Sequence, residues 1–125
     1  MKICFITHNL NTTDGGGRFS HDLTGNLKKK GVEITVIATG NNQPLFRFLK
    51  IRKIFKDSDI IHATDIWPNG FYAKAVSLGL KKPIIITALG TYSVAPFYSW
   101  RRPLAIWVCK NSKVIAISDY TKEKI

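Results

Sequence analysis

Three adjacent glycines, Gly15, Gly16 and Gly17, stand between a short apolar run (Ile3, Cys4, Phe5, Ile6) and the amphipathic segment Arg18 to Lys30. A strand, a loop and a helix start in that order form a place where α/β proteins hold anions. Without a Cβ, glycine permits positive φ and lets a ligand reach main-chain N–H groups, and the helix adds its positive dipole end. Two further polar stretches follow apolar runs: His62, Ala63, Thr64 and Asp65, and then Leu89, Gly90, Thr91 and Tyr92. Asp65 either turns its loop or touches a substrate. His8 and His21 have no partner carboxylate or cysteine at metal spacing, so they read as structural or surface residues, and no metal or cofactor is expected. Cys4 and Cys109 also lack metal spacing and sit in apolar surroundings, which reads as two reduced core thiols of a cytoplasmic protein.

The elements that must position these residues follow from periodicity. Phe19, Leu23 and Leu27 recur at i, i+4 and i+8 on a helix ending in Lys28, Lys29 and Lys30, with Gly31 as its stop. Glu33 to Ala38 is β-branched and reads as the second strand. Leu45 to Lys56 is helical, with Leu45, Phe48, Ile51 and Phe55 on one side. Asp59 to Ala63 is the third strand. Pro68 presets a helix carrying Phe71, Ala75 and Leu78, closed by Gly79 and Pro83. Ile84 to Thr87 is an apolar fourth strand, a helix follows around Leu104, Trp107 and Val108, and Val114 to Ile117 is the fifth. Ser118 caps one more helix that has barely a turn before Ile125.

This pattern predicts a doubly wound parallel sheet, Rossmann-like, with strand order 2-1-3-4-5. Ligands in such sheets bind beyond the carboxyl ends of the strands where the winding reverses, here between the first and third. The glycine loop, the His62 to Asp65 stretch and the Leu89 to Tyr92 loop should then border one crevice. Trp67, Phe97, Tyr98 and Trp100 crowd the same loops, where aromatic faces stack on sugars, meet a lipid or a second lobe, or close a core.

At 125 residues the chain is one domain, and 19 basic against 8 acidic residues give a net charge of +11. That favours an anionic partner: nucleic acid, a phosphorylated ligand or an anionic membrane. Nucleic acid is disfavoured because no helix-turn-helix, zinc or RNA-binding signature is present. No room exists for a signal peptide before the first strand, and no apolar run approaches ~18 residues.

Gly15-Gly-Gly-Arg-Phe-Ser-His-Asp-Leu, Asp59-Ile-Ile-His-Ala, Thr87-Ala-Leu-Gly-Thr-Tyr and Val114-Ile-Ala-Ile-Ser-Asp-Tyr-Thr-Lys-Glu resemble the N-terminal lobe of family-4 glycosyltransferases, retaining enzymes of GT-B architecture. The resemblance implies an acceptor-binding lobe over residues 1–125, incomplete at its C-terminal end, whose glycine loop lies near the donor's diphosphate. A separate lobe, absent here, would grip the nucleotide sugar. It also implies a ligand contact at His62, a position where a structural histidine is the alternative. Leu89 stands where the family commonly has histidine, and leucine neither hydrogen-bonds a sugar nor stabilises developing charge. The substrate-binding set is therefore Gly15, Gly16, Gly17, His62, Asp65, Gly90, Thr91 and Tyr92, with no catalytic residue assigned.

The expected function is transfer of a sugar from a nucleotide-activated donor to a lipid or saccharide acceptor, with the chain inactive alone because it holds half the required geometry. The alternative is a noncatalytic module that binds a phosphorylated ligand or pairs with a separate nucleotide-binding lobe. A last feature concerns location. Arg47, Lys50, Arg52, Lys53 and Lys56 lie beside Leu45, Phe46, Phe48, Leu49, Ile51, Ile54 and Phe55 without an acidic residue, which suits either an anionic membrane surface or a solvated covering helix.

Overall fold

The computed structural model describes residues 1–8, 10, 15–38, 48–89, 98–110 and 112–116. Five strands, β1 (Lys2–Thr7), β2 (Glu33–Ala38), β3 (Ile60–Thr64), β4 (Ile84–Ala88) and β5 (Lys113–Ala116), form one sheet in the order β2-β1-β3-β4-β5. Every pairing is parallel, as the expected fold class requires. The winding reverses at β1, which lies between β2 and β3.

Because side chains alternate along a strand, the sheet has two distinct faces. One carries Cys4 and Ile6 from β1, Ile61 and Ala63 from β3, and Ile84 and Ile86 from β4. Three helices contribute buried residues to this core: α2 (Phe48–Lys56), α3 (Phe71–Val76) and α4 (Arg102–Cys109). Ile51 and Phe55 of α2, Ala73 and Val76 of α3, and Ala105 and Val108 of α4 complete the cluster. Burying side chains such as Phe55 and Ile61, both fully enclosed, contributes about 1.5–3 kcal/mol each.

The other face is more polar. Phe5 and Thr7 of β1, His62 and Thr64 of β3, and Ile85 and Thr87 of β4 point there by register, and α1 (Gly15–Lys29) lies over it. The helix ends in a Schellman turn: the Val32 N–H donates to Leu27 O, the Gly31 N–H donates to Lys28 O, and Gly31 takes φ 86°.

Three helices differ from the sequence reading. On α1 the buried line is Gly17, Ser20 and Thr24, while Phe19, Leu23 and Leu27 are only half-buried. Polar residues can take the inner line because the strand end opposite them offers Thr7. On α2, Ile51 and Phe55 are buried as expected, but Phe48 is exposed and Ile54 packs against the core instead. The helix after β3 is the short α3, reached through the kinked segment Ile66–Gly70 in which Trp67 is extended (φ −134°, ψ 133°), and Leu78 lies past its end on the surface. Gly70 explains the tight junction. A Cβ there would lie 3.0 Å from the Asp65 carbonyl oxygen and 3.1 Å from Val108 Cγ1. The expected start of α2 at Leu45, the Ser118 cap and the helix after it lie outside the described residues. No helix among the described residues is long and apolar enough to cross a membrane.

Candidate functional site at the carboxyl ends of the strands

The site is built from the ends of β1, β3 and β4. Thr64 pairs in register with Thr87, and Thr7 lies one step beyond the Ile6–Ala63 pair, so three threonines form a row across three neighbouring strands. Each is buried and each has an identified role. Thr7 Oγ1 and Ser20 Oγ are 2.7 Å apart, which fixes the first turns of α1 against the end of β1. Thr64 Oγ1 donates to the Ile6 carbonyl over 3.4 Å, and Asn69 Nδ2 donates to Thr64 O at 2.9 Å. Thr87 Oγ1 lies 2.8 Å from His62 Nε2. Among the described residues no buried side-chain nitrogen or oxygen lacks a partner, so this polar layer is stable as built.

Gly15, Gly16 and Gly17 are the first three residues of α1 rather than part of a preceding loop. Their conformation is helical, so positive φ is not what glycine provides here. What remains is their place at a helix N-terminus, whose dipole favours negative charge. No acidic residue occupies the first turn.

His62 is the third of five residues in β3, inside the sheet rather than at the strand's end as expected. It is buried, its ring lies 5.0 Å from that of Phe5, and burial lowers its pKa to about 4. The imidazole is therefore neutral near pH 7. Asp65 comes directly after β3, takes φ 67° and is half-buried. Its carboxylate accepts the Leu89 N–H at 3.1 Å, its own N–H donates to Thr87 O at 2.8 Å, and its carbonyl accepts the Gly70 N–H at 3.0 Å. One residue thus joins the end of β3, the end of β4 and the turn that leads into α3. Gly90, Thr91 and Tyr92 follow Leu89 and lie outside the described residues.

Around this site Trp67 packs on Phe71 at 4.9 Å and Phe71 on Trp107 at 5.9 Å, with Arg101 over Trp67 and Lys74 over Trp107. Tyr98 and Trp100 are exposed, whereas Phe97 falls outside the described residues. Cys4 is enclosed in the core and its thiol is pushed up to about 12 by burial. Cys109 is partly buried and also raised. Neither thiol is near its reactive, thiolate form at neutral pH. Among the described residues no group of three potential metal ligands gathers.

Sequence reasoning missed the threonine row, Ser20 and Asn69. A signal was present, since threonine stands at the end of three of the apolar strand runs, at positions 7, 64 and 87. It gained meaning only once the strand register placed the three side by side.

The family model of glycosyltransferase family 4 matches residues 41–125, the stretch that holds His62, Asp65, Leu89 and strands β3 to β5. It leaves out β1 and the glycine turn of α1, whose place in the site follows from the fold alone. No curated protein matches the chain. With more than half of its residues matched, the chain belongs to glycosyltransferase family 4.

Proposed function

We propose that this chain is the acceptor-side lobe of a retaining glycosyltransferase that moves a sugar from a nucleotide-activated donor to a lipid or saccharide acceptor at the cytoplasmic face of a membrane. The observation that carries the reading is the family match over residues 41–125 on a sheet whose switch point lies between β1 and β3. In this reading the glycine turn of α1 faces the donor's diphosphate, and its N–H groups offset the charge that builds on the leaving group. Gly90, Thr91 and Tyr92 meet the acceptor. Asp65 acts as a positioning residue, since its bond to the Leu89 N–H sets where that loop departs. His62 supports Thr87 from inside the sheet and exchanges no proton with substrate, because a buried neutral imidazole with a pKa near 4 is poorly matched to proton transfer at pH 7. Transfer needs donor, acceptor and leaving diphosphate held together, so a second, nucleotide-binding lobe completes the site.

The glycine turn gives the test. Nucleotide diphosphate sugars and phosphorylated acceptors are titrated calorimetrically into the complete two-lobe protein, as parent and as Gly16→Val. Valine at the helix start blocks close approach, and its helix propensity is no lower than that of glycine. A folded variant that binds more weakly supports the reading. Unchanged affinity for every ligand removes the glycine turn from the site.

A further inference from the structure

The side of the molecule formed by α2 and the turn after α3 has a character that the strand-end site does not explain. Leu49 is 75% exposed, Leu78 is 57% exposed and Phe48 is 38% exposed. Lys50, Lys53 and Lys56 are exposed along α2, and Lys81 is exposed in the turn. Between the two elements runs an open groove of about 500 Å³, lined by Leu49, Arg52, Lys53, Lys56, Asp57 and Leu80. Arg52 holds its two sides together. Its Nη1 donates to the Val76 carbonyl at 2.8 Å, and its Nη2 lies 3.7 Å from where a Gly79 Cβ would sit. Gly79 takes φ 83°, turning the chain between the exposed Leu78 and the groove-lining Leu80.

We propose that this two-element surface docks the protein on an anionic lipid bilayer, with Lys50, Lys53, Lys56 and Lys81 against phosphate headgroups and Leu49 and Leu78 entering the interface. Charge complementarity selects the partner: three cations and one carboxylate line the groove, and no ion pair among the described residues neutralises Lys50, Lys53, Lys56 or Lys81. The leucines select a bilayer over nucleic acid. A phosphodiester backbone gains nothing from large exposed aliphatic side chains, whereas a membrane interface takes up apolar groups and cations together. Arg47 belongs to the same basic run but lies outside the described residues. The proposal deepens the membrane placement given above, and it is tested by binding rather than transfer, so the two readings fail separately.

The experiment is co-sedimentation of the chain with vesicles of phosphatidylglycerol and phosphatidylcholine, or of phosphatidylcholine alone, at low and high salt. Two variants accompany the parent. One carries Lys50→Gln, Lys53→Gln and Lys56→Gln, and the other Leu49→Asn and Leu78→Asn. All substituted side chains are exposed, and matching thermal melts confirm that both variants keep the parent fold. The parent should bind anionic vesicles only, and its binding should fall away as salt near 1 M shrinks the Debye length to ~3 Å. Removing three charges should lower partitioning roughly a hundredfold. The leucine variant should bind anionic vesicles more weakly while keeping the salt dependence. Equal binding to both vesicle types, an unaffected lysine variant or an unaffected leucine variant would each overturn the proposal. So would displacement of the parent from vesicles by duplex RNA at matched phosphate concentration, since that would assign the patch to nucleic acid.

Discussion

His62 makes the stability of this fold depend on pH in a way that can be calculated. The ring is buried, bonded to Thr87 Oγ1, and its pKa falls from 6.5 to about 4 on burial. In the unfolded chain the same ring takes up a proton as pH drops through 6.5, while the native ring stays neutral until about 4. Between those values the unfolded state binds more protons, so stability rises with pH and is lost as pH falls. Lowering the pKa from 6.5 to about 4 corresponds to about 3 kcal/mol. That is a large part of the ~5–15 kcal/mol that holds a domain together. The assay is urea unfolding from pH 7.5 to pH 4 for the parent and for His62→Gln, which keeps a hydrogen-bonding side chain but cannot titrate. Subtracting the two curves cancels the carboxylates. The difference should change by about 3 kcal/mol, all of it between pH 6.5 and 4. Parallel curves would mean that His62 titrates alike in the folded and unfolded chain, as a solvated ring does, and the buried Thr87 contact would fall with that result.

Two further substitutions probe the strand ends. Asp65→Ala removes the acceptor for the Leu89 N–H and leaves a side chain poorly suited to φ 67°, so it should cost about 1–3 kcal/mol, whereas Asp65→Asn keeps an acceptor and tolerates that φ. Denaturant midpoints should place Asn near the parent and Ala well below it, and the reverse order would dissolve the clamp. Gly70→Ala should destabilise by about 1–3 kcal/mol, because the new methyl meets a backbone oxygen at 3.0 Å that cannot turn aside. A thermal melt equal to the parent's would show that the turn has room.

The sheet was legible because buried parallel strands are short, apolar and β-branched, and glycine or proline punctuates them. Ile84 to Thr87 is an example, and the strand order followed from right-handed crossovers on either side of the first strand. Helix faces were harder. Periodicity favours the largest apolar residues, so it chose Phe19, Leu23 and Leu27, yet the inner line of α1 is set by Thr7, which meets Ser20 across thirteen residues of chain. Glycine's low helix propensity argued for a loop at Gly15 to Gly17, and packing of α1 on the sheet overrode it. Asp65 read as a turn former or a substrate contact. Its hold on Leu89 depends on β3 and β4 being neighbours, and no local pattern records that pairing. The basic run of α2 was plain in the sequence, but the contribution of Leu78, Leu80 and Lys81 needed the fold to bring the second element alongside.

The central claim is that this chain supplies the acceptor half of a two-lobe transferase, and transfer itself tests it most directly. The purified chain is incubated with a set of labelled sugar nucleotides and a panel of lipid-linked and free saccharide acceptors, alone and together with a nucleotide-sugar-binding lobe, and product is measured by label. The account predicts no transfer above background by the chain alone and transfer when the second lobe is present, because only then are donor, acceptor and leaving diphosphate held together. Sustained turnover by the single chain would contradict it.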